Sequence, residues 1–257
     1  MERITSRRNP LCAHLKKLGA SRSYREACGE FLCDGLKLLE EAVNNGAIVT
    51  DVLTSSHVPF PMPIEARMHY ADRGIIDSLS PLKNAQDTLF ACKIPKTGGR
   101  GCGCECDCLI GTHVLLDGLQ DPGNVGTIIR TASAFGIASV MLAGGCADPY
   151  NPKAVRSTMG AIFRQSICFP EIAELRELKD RGARFVGAAL GEESADISVT
   201  DLRGSIIAIG SEGRGLSEEV AALCAEKARI PMAPGCESLN AATAAAIFIY
   251  LAAELYN

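Results

Sequence analysis

The sequence predicts an α/β protein with a mainly parallel sheet covered by helices, preceded by a small α/β domain. Three observations carry this. From Thr112 onward, strand-length apolar runs alternate with helical stretches, the pattern of parallel strands joined by helical crossovers. Three stretches rich in Gly, Pro and polar residues each follow an apolar run directly, as loops at the carboxyl edge of such a sheet do. Between Lys93 and Cys108, four glycines and a proline stand among almost no apolar residues, a composition that suits a linker. The expected organisation is a domain over residues 1–95, a Gly- and Cys-rich linker over 96–108, and a larger domain over 109–257.

In the first domain, Arg8 to Leu18 reads as a short helix and Glu30 to Cys33 as a strand. Asp34-Gly35 then opens an amphipathic helix with Leu36, Leu39, Ala42 and Val43 on one stripe, closed by Gly46. Ile48 to Leu53 is a strand, Ile64 to Arg73 reads as a helix, and Thr88 to Ile94 as a last strand. In the second domain, Thr112 to Leu116 is a strand, followed by a helix from Gly123 through Ala134 with Asn124 as its expected cap. Ser139 to Leu142, Gln165 to Phe169, Arg184 to Leu190, Ser205 to Ile209 and Arg229 to Met232 read as strands. Helices are expected over Pro152 to Met159 and Glu171 to Arg181. Ser217 should cap another, with Glu218 and Glu219 suiting the dipole of its first turn. Ser238 is the expected cap of the last helix, which is apolar nearly all round and therefore buried or set against another subunit.

With 257 residues, 47% of them hydrophobic, the chain has enough apolar surface for a real core. No N-terminal stretch joins a charged start to an apolar segment, so no signal peptide is expected. The longest apolar run, Leu239 to Ala253, contains Asn240 and Thr243 and falls short of the ~20 residues of a membrane span. A cytoplasmic protein without a membrane partner is the expectation. Cys33, Cys92, Cys168 and Cys224 sit in apolar context and read as small buried hydrophobes. Cys102, Cys104, Cys106 and Cys108 alternate within the linker. Without a signal peptide they do not suggest disulfides, and zinc sites favour two-residue gaps, so they read as exposed linker thiols, with adventitious metal or redox chemistry on their shared face as the alternative. No metal is expected.

The net charge of −4 speaks against a nucleic-acid partner until its distribution is seen. Residues 1–25 hold Arg3, Arg7, Arg8, Lys16, Lys17, Arg22 and Arg25 against Glu2 alone, a net +6 that leaves −10 on the remaining chain. A basic arm on an acidic body can hold phosphates, because contact follows local potential. The same residues would also suit the solvated face of a helix.

Three motifs remain: Asp121-Pro-Gly-Asn-Val-Gly-Thr-Ile-Ile-Arg130, Ile209-Gly-Ser-Glu-Gly-Arg-Gly-Leu-Ser217 and Ile230-Pro-Met-Ala-Pro-Gly-Cys-Glu-Ser-Leu-Asn240. The first lacks the Gly-x-Gly-x-x-Gly spacing of a dinucleotide site, and no Gly-Lys pair offers a P-loop. No catalytic triad or zinc motif is visible, and His14, His57, His69 and His113 are scattered as surface or structural residues would be. Taken singly, each motif also reads as a structural turn. Yet Arg130 interrupts a strongly apolar helix, where its planar fork could grip two phosphate oxygens. Glu212 sits among three glycines that permit close backbone approach, and Ser238 and Asn240 stand at the entrance of an apolar helix.

Together and in this order the three motifs resemble those of the SpoU (TrmH-type) RNA ribose methyltransferases of the SPOUT superfamily. The resemblance is specific over residues 110–257. It extends less sharply over 3–94, where Ile4 to Leu18 and Tyr24 to Val43 look like the ribosomal-protein-like RNA-binding domain of many members, with Asp34-Gly35 where they more often carry Glu-Gly. It implies a C-terminal trefoil knot, S-adenosylmethionine as methyl donor, a ribose 2′-hydroxyl as acceptor, and a homodimer. It further implies that Gly210, Ile230, Met232 and Leu239 line the cofactor pocket, and that Asn124, Arg130, Glu212, Ser238 and Asn240 serve catalysis. Because a guanidinium scarcely deprotonates in proteins, Arg130 is read as a phosphate holder and alkoxide stabiliser rather than a base. The basic residues Arg7, Arg8, Lys16, Lys17, Arg22 and Arg25 would touch RNA. The extra domain favours ribosomal RNA over transfer RNA, since shorter members acting on transfer RNA commonly lack it. A transfer-RNA enzyme and a non-catalytic RNA-binding protein that kept the fold are the competing readings.

Overall fold

The computed structural model describes residues 2–95, 110–191 and 194–253, so the predicted linker and Cys102 to Cys108 lie outside the described residues. The chain gathers into two compact units, one of Met1–Ile94 with Asp148–Arg164, the other of Pro95–Ala147 with Gln165–Asn257. Residues 148–164, which the sequence assigns to the larger domain, thus pack with the first unit. Side chains explain it: buried Arg25 donates to Asp148 Oδ2 from Nε at 2.9 Å and from Nη2 at 2.6 Å, and the Phe31 ring packs at a tilt against both Tyr150 and Phe163.

The first unit begins with β1 (Glu2–Ile4), α1 (Pro10–Ala20) and α2 (Arg22–Cys28). Asn9 caps α1 through Leu11 N, and Pro10 occupies the first helical position, where its missing N–H costs nothing. Next come β2 (Glu30–Asp34), α3 (Leu36–Asn44), β3 (Val49–Thr54), β4 (Arg67–Ala71), α4 (Arg73–Leu79) and β5 (Thr88–Lys93). The sheet runs β1-β4-β3-β5-β2, with β1, β4 and β3 parallel and β5 antiparallel to both neighbours. Strand β4 corrects the helix expected over residues 64–73. Its side chains tolerate a helix, but the segment lies between β1 and β3, and pairing on both edges overrides local preference.

In the second unit, β6 (His113–Asp117), α5 (Pro122–Ala134) and β7 (Ser139–Ala143) precede the segment that carries α6 (Pro152–Thr158) in the first unit. There follow β8 (Ile167–Cys168), α7 (Ile172–Asp180), β9 (Phe185–Ala188), β10 (Ala195–Asp196), β11 (Ile206–Gly210), α8 (Glu218–Leu223), β12 (Glu226–Arg229) and α9 (Ala241–Ala252). Seven parallel strands stand in the order β10-β12-β9-β11-β6-β7-β8. Leu115, Met141, Phe185 and Ala208 face α7 and α8. The alternate strand residues face the side on which α9 packs against α5 and β11. Burying one such Leu or Phe side chain contributes about 1.5–3 kcal/mol. Among the described residues no helix is long and apolar enough to cross a membrane.

Three local expectations are corrected. The strand placed at Arg229–Met232 is β12, which ends at Arg229 because Pro231 cannot donate to a ladder. The cap of α5 is Asp121, which accepts from Gly123 N, and not Asn124. The cap of α9 is Asn240, which accepts from Ala242 N and Thr243 N, and not Ser238.

Candidate active site

Strands β12, β9, β11 and β6 are successive neighbours, and their carboxyl ends deliver the three motifs and the Ala188–Leu190 segment to one edge. After β6 and β7 the chain builds outward one way, then returns to β9 on the far side of β11. Crevices at such a reversal of strand order are where open α/β sheets bind ligands.

The second motif is a closed turn. Ser211 and Gly215 exchange backbone hydrogen bonds of 3.0 and 2.9 Å. Gly210 makes this possible: a Cβ there would lie 2.1 Å from the Gly215 carbonyl carbon and 2.4 Å from Leu216 N, so no other residue fits. The third motif leaves β12 through Ile230-Pro231 and runs as irregular chain to Asn240. Between these two loops lies a cavity of about 460 Å³. Gly210, Ile230, Met232 and Leu239 all line it, as do Glu212 and Ser238. Leu216 of the second motif also lines it, as do Ala188, Leu190 and Phe248, which nothing in their local sequence marks.

Asn124 and Asn240 are joined to this wall through Glu212. Asn240 Oδ1 is fixed by the two N–H groups it caps, so its Nδ2 points away and donates to Asn124 Oδ1 at 3.2 Å. Asn124 Nδ2 then donates to Glu212 Oε1. One consistent direction of donation runs from the start of α9, through the first motif, to the carboxylate of the second. Each motif contributes one side chain.

Arg130 does not line the cavity; it is exposed on α5, without an ion pair or hydrogen bond among the described residues. Ser238 is exposed. Of the basic residues, Arg7, Arg8, Lys16, Lys17 and Arg22 are exposed, although Arg7 donates to Gly74 O and Arg22 pairs with Glu26. Arg25 is the correction: 3% exposed, donating to Leu18 O and Asp148, it cannot reach RNA. His113 is buried between Ser139 Oγ and Ile110 O, and burial pushes its pKa below the usual histidine value.

Residues 111–250 match the model of the SpoU rRNA Methylase family. The chain belongs to that family. A 23S rRNA guanosine 2′-O-methyltransferase of Bacillus subtilis (strain 168) is 28% identical over 97% of this chain and 98% of its own length. A 23S rRNA adenosine 2′-O-methyltransferase of Streptomyces laurentii is 29% identical over 96% of this chain and 93% of its own. The crystal structure of an AdoMet-bound rRNA methyltransferase from Sinorhizobium meliloti superposes with a TM-score of 0.81 at 26% identity, covering 97% of this chain and 96% of that one. In this SpoU family member, the large parallel sheet and the cavity edge lie within the matched residues, whereas β1 to β5 precede them.

Proposed function

We propose that this protein methylates a ribose 2′-hydroxyl in ribosomal RNA with S-adenosylmethionine as donor. The observation that carries this reading is the convergence of Asn124, Glu212 and Asn240 beside the cavity that Gly210, Ile230, Met232 and Leu239 line. The cavity suits the donor. Its walls at Ile209, Ile230, Leu239 and Phe248 are apolar enough for an adenine face, the ends of β9 and β11 offer backbone polar groups, and its size lies within the ordinary range for small-molecule sites. When bound, S-adenosylmethionine supplies a methyl group on a positively charged sulfur.

The chain's own contribution is placement. Much of the gain in such a displacement comes from holding the attacking oxygen in line. Arg130, its guanidinium without a partner among the described residues, holds the acceptor nucleotide's phosphate and stabilises negative charge developing on the ribose oxygen. The Asn240–Asn124–Glu212 chain fixes the loops around the cavity mouth, and Ser238 offers a hydroxyl on its wall. The exposed cations Arg7, Arg8, Lys16, Lys17 and Arg22 bind RNA through the first unit. The two named relatives modify the same ribose position on different bases, which is consistent with base choice residing outside the shared chemistry.

The reading includes a homodimer through α9, supported by exposed Tyr250 and Leu251 on that helix, and a cytoplasmic location beside the ribosome. It also includes a knot in which the loops after β11 and β12 take part. The test is to map ribose methylation across ribosomal and transfer RNA with and without the active gene. One ribosomal site that disappears with the gene supports the reading. A transfer-RNA site would replace the substrate, and no lost site together with no cofactor binding would leave a non-catalytic RNA-binding protein.

A further inference from the structure

Asp117 is a buried carboxylate that the proposed chemistry does not use. It closes β6, is 4% exposed, and has no cation within ion-pair distance among the described residues. Leaving a carboxylate buried without a cation is costly unless hydrogen bonds compensate. Its Oδ2 accepts from Ser217 N at 2.6 Å, a short charge-assisted bond. Its Oδ1 rests against Gly144, where a Cβ would come within 2.4 Å of that oxygen and 2.9 Å of Gly118 N. In register, Asp117 stands between Gly210 of β11 and Ala143 of β7. Burial, with a smaller contribution from the Asp117 charge, pushes the thiols of Cys146 and Cys224 up to about 11.

Ser217 is where the second-motif loop ends and α8 begins. Its hydroxyl caps the helix through Val220 N, while its own N–H is given to Asp117. The loop from Gly210 to Leu216 is therefore fixed at both ends against the last residue of β6: by the ladder at Gly210 and by the carboxylate at Ser217. Glu212 and Leu216, both on the cavity wall, lie between those two anchors.

We infer that Asp117 is a positioning residue: its carboxylate clamps the exit of the second-motif loop, so that Leu216 walls the cavity and Glu212 meets Asn124, with Gly144 providing the space the carboxylate needs. This rests on the reading of the cavity as the donor site. The test uses the full chain and compares S-adenosylmethionine affinity, RNA affinity and thermal unfolding in Asp117→Ala, Asp117→Asn and Gly144→Ala. Asp117→Ala should weaken S-adenosylmethionine binding about tenfold or more, the scale of one lost charge-assisted hydrogen bond, with RNA affinity within about twofold of wild type. Asp117→Asn keeps an acceptor for Ser217 N and should recover most of the loss. Gly144→Ala crowds both the carboxylate and Gly118 N and forces an alanine to φ +63°, so it should resemble Asp117→Ala in cofactor affinity and lose stability besides; if Asp117→Ala does not fold, this variant carries the comparison. Wild-type cofactor affinity in Asp117→Ala or Gly144→Ala overturns the clamp, as does an Asp117→Asn chain as impaired as Asp117→Ala. Failure of the wild-type chain itself to bind S-adenosylmethionine would instead sink the functional reading.

Discussion

Asn240 donates its Nδ2 to Asn124 Oδ1 across 3.2 Å while its own Oδ1 accepts from the N–H groups of Ala242 and Thr243 in the first turn of α9. One amide therefore joins helix capping to the proposed active site, and the two roles can be separated. Asn240→Ala loses both and should cost about 1 kcal/mol in unfolding free energy. Asn240→Asp keeps an equally good cap but cannot donate to Asn124. Its stability should stay within about 0.5 kcal/mol of wild type while single-turnover methyl transfer falls about tenfold or more. Wild-type transfer by Asn240→Asp would reduce the amide chain to a structural feature.

Arg130 is exposed and unpaired among the described residues, so truncating it breaks no bond within the fold. Arg130→Ala should leave unfolding and S-adenosylmethionine affinity unchanged and lower methyl transfer by about a hundredfold or more. Arg130→Lys distinguishes charge from geometry: a two-pronged grip on phosphate predicts little rescue, and simple charge predicts substantial rescue. A transfer rate near wild type in Arg130→Ala would remove this residue from the mechanism.

Gly210→Ala places a methyl group 2.1 Å from a backbone carbon, which no side-chain adjustment can relieve. The turn closed by Ser211 and Gly215 must open, and Glu212 must leave Asn124. Equilibrium dialysis should find S-adenosylmethionine binding lost. The domain, whose core lies under α7 and α8, should remain folded with about 1–3 kcal/mol less stability. Retained binding would mean that the cavity does not depend on this turn.

The sites were legible where chemistry and backbone demand coincide. Gly210 and the proline after Ile230 are signals of loops bent at strand ends, and Gly210 and the residues on either side of that proline line the cavity. Capping was less legible because each motif offers more than one suitable residue. Asp121 and Asn124 could both start α5, and Ser238 and Asn240 could both start α9. With Asp121 holding Gly123 N, the Asn124 amide is left free to bond Glu212 and Asn240. Strand β4 was hidden because its neighbours, not its own residues, make it a strand. Elements β1, α2 and α4 have three, seven and seven residues, too few for a period to declare itself. The packing of residues 148–164 with the first unit depends on a pairing 123 residues apart, Arg25 with Asp148, which no local pattern encodes.

That pairing also divides the basic N-terminal segment into two classes. Arg25 spends its guanidinium on Asp148 and Leu18 O inside the fold, at 3% exposure. Removing one partner of a buried pair strands the other, so Arg25→Ala should cost about 3–5 kcal/mol in unfolding free energy. Arg7, Arg8 and Lys16 are exposed, and their combined replacement by Ala should leave thermal unfolding nearly unchanged. The same triple variant should weaken RNA binding and flatten its dependence on salt, the logarithmic slope falling by roughly 0.7–0.9 for each phosphate no longer neutralised. Cofactor affinity should not move. A salt slope identical to wild type would take these three cations off the RNA surface and leave the first unit without the electrostatic role proposed for it.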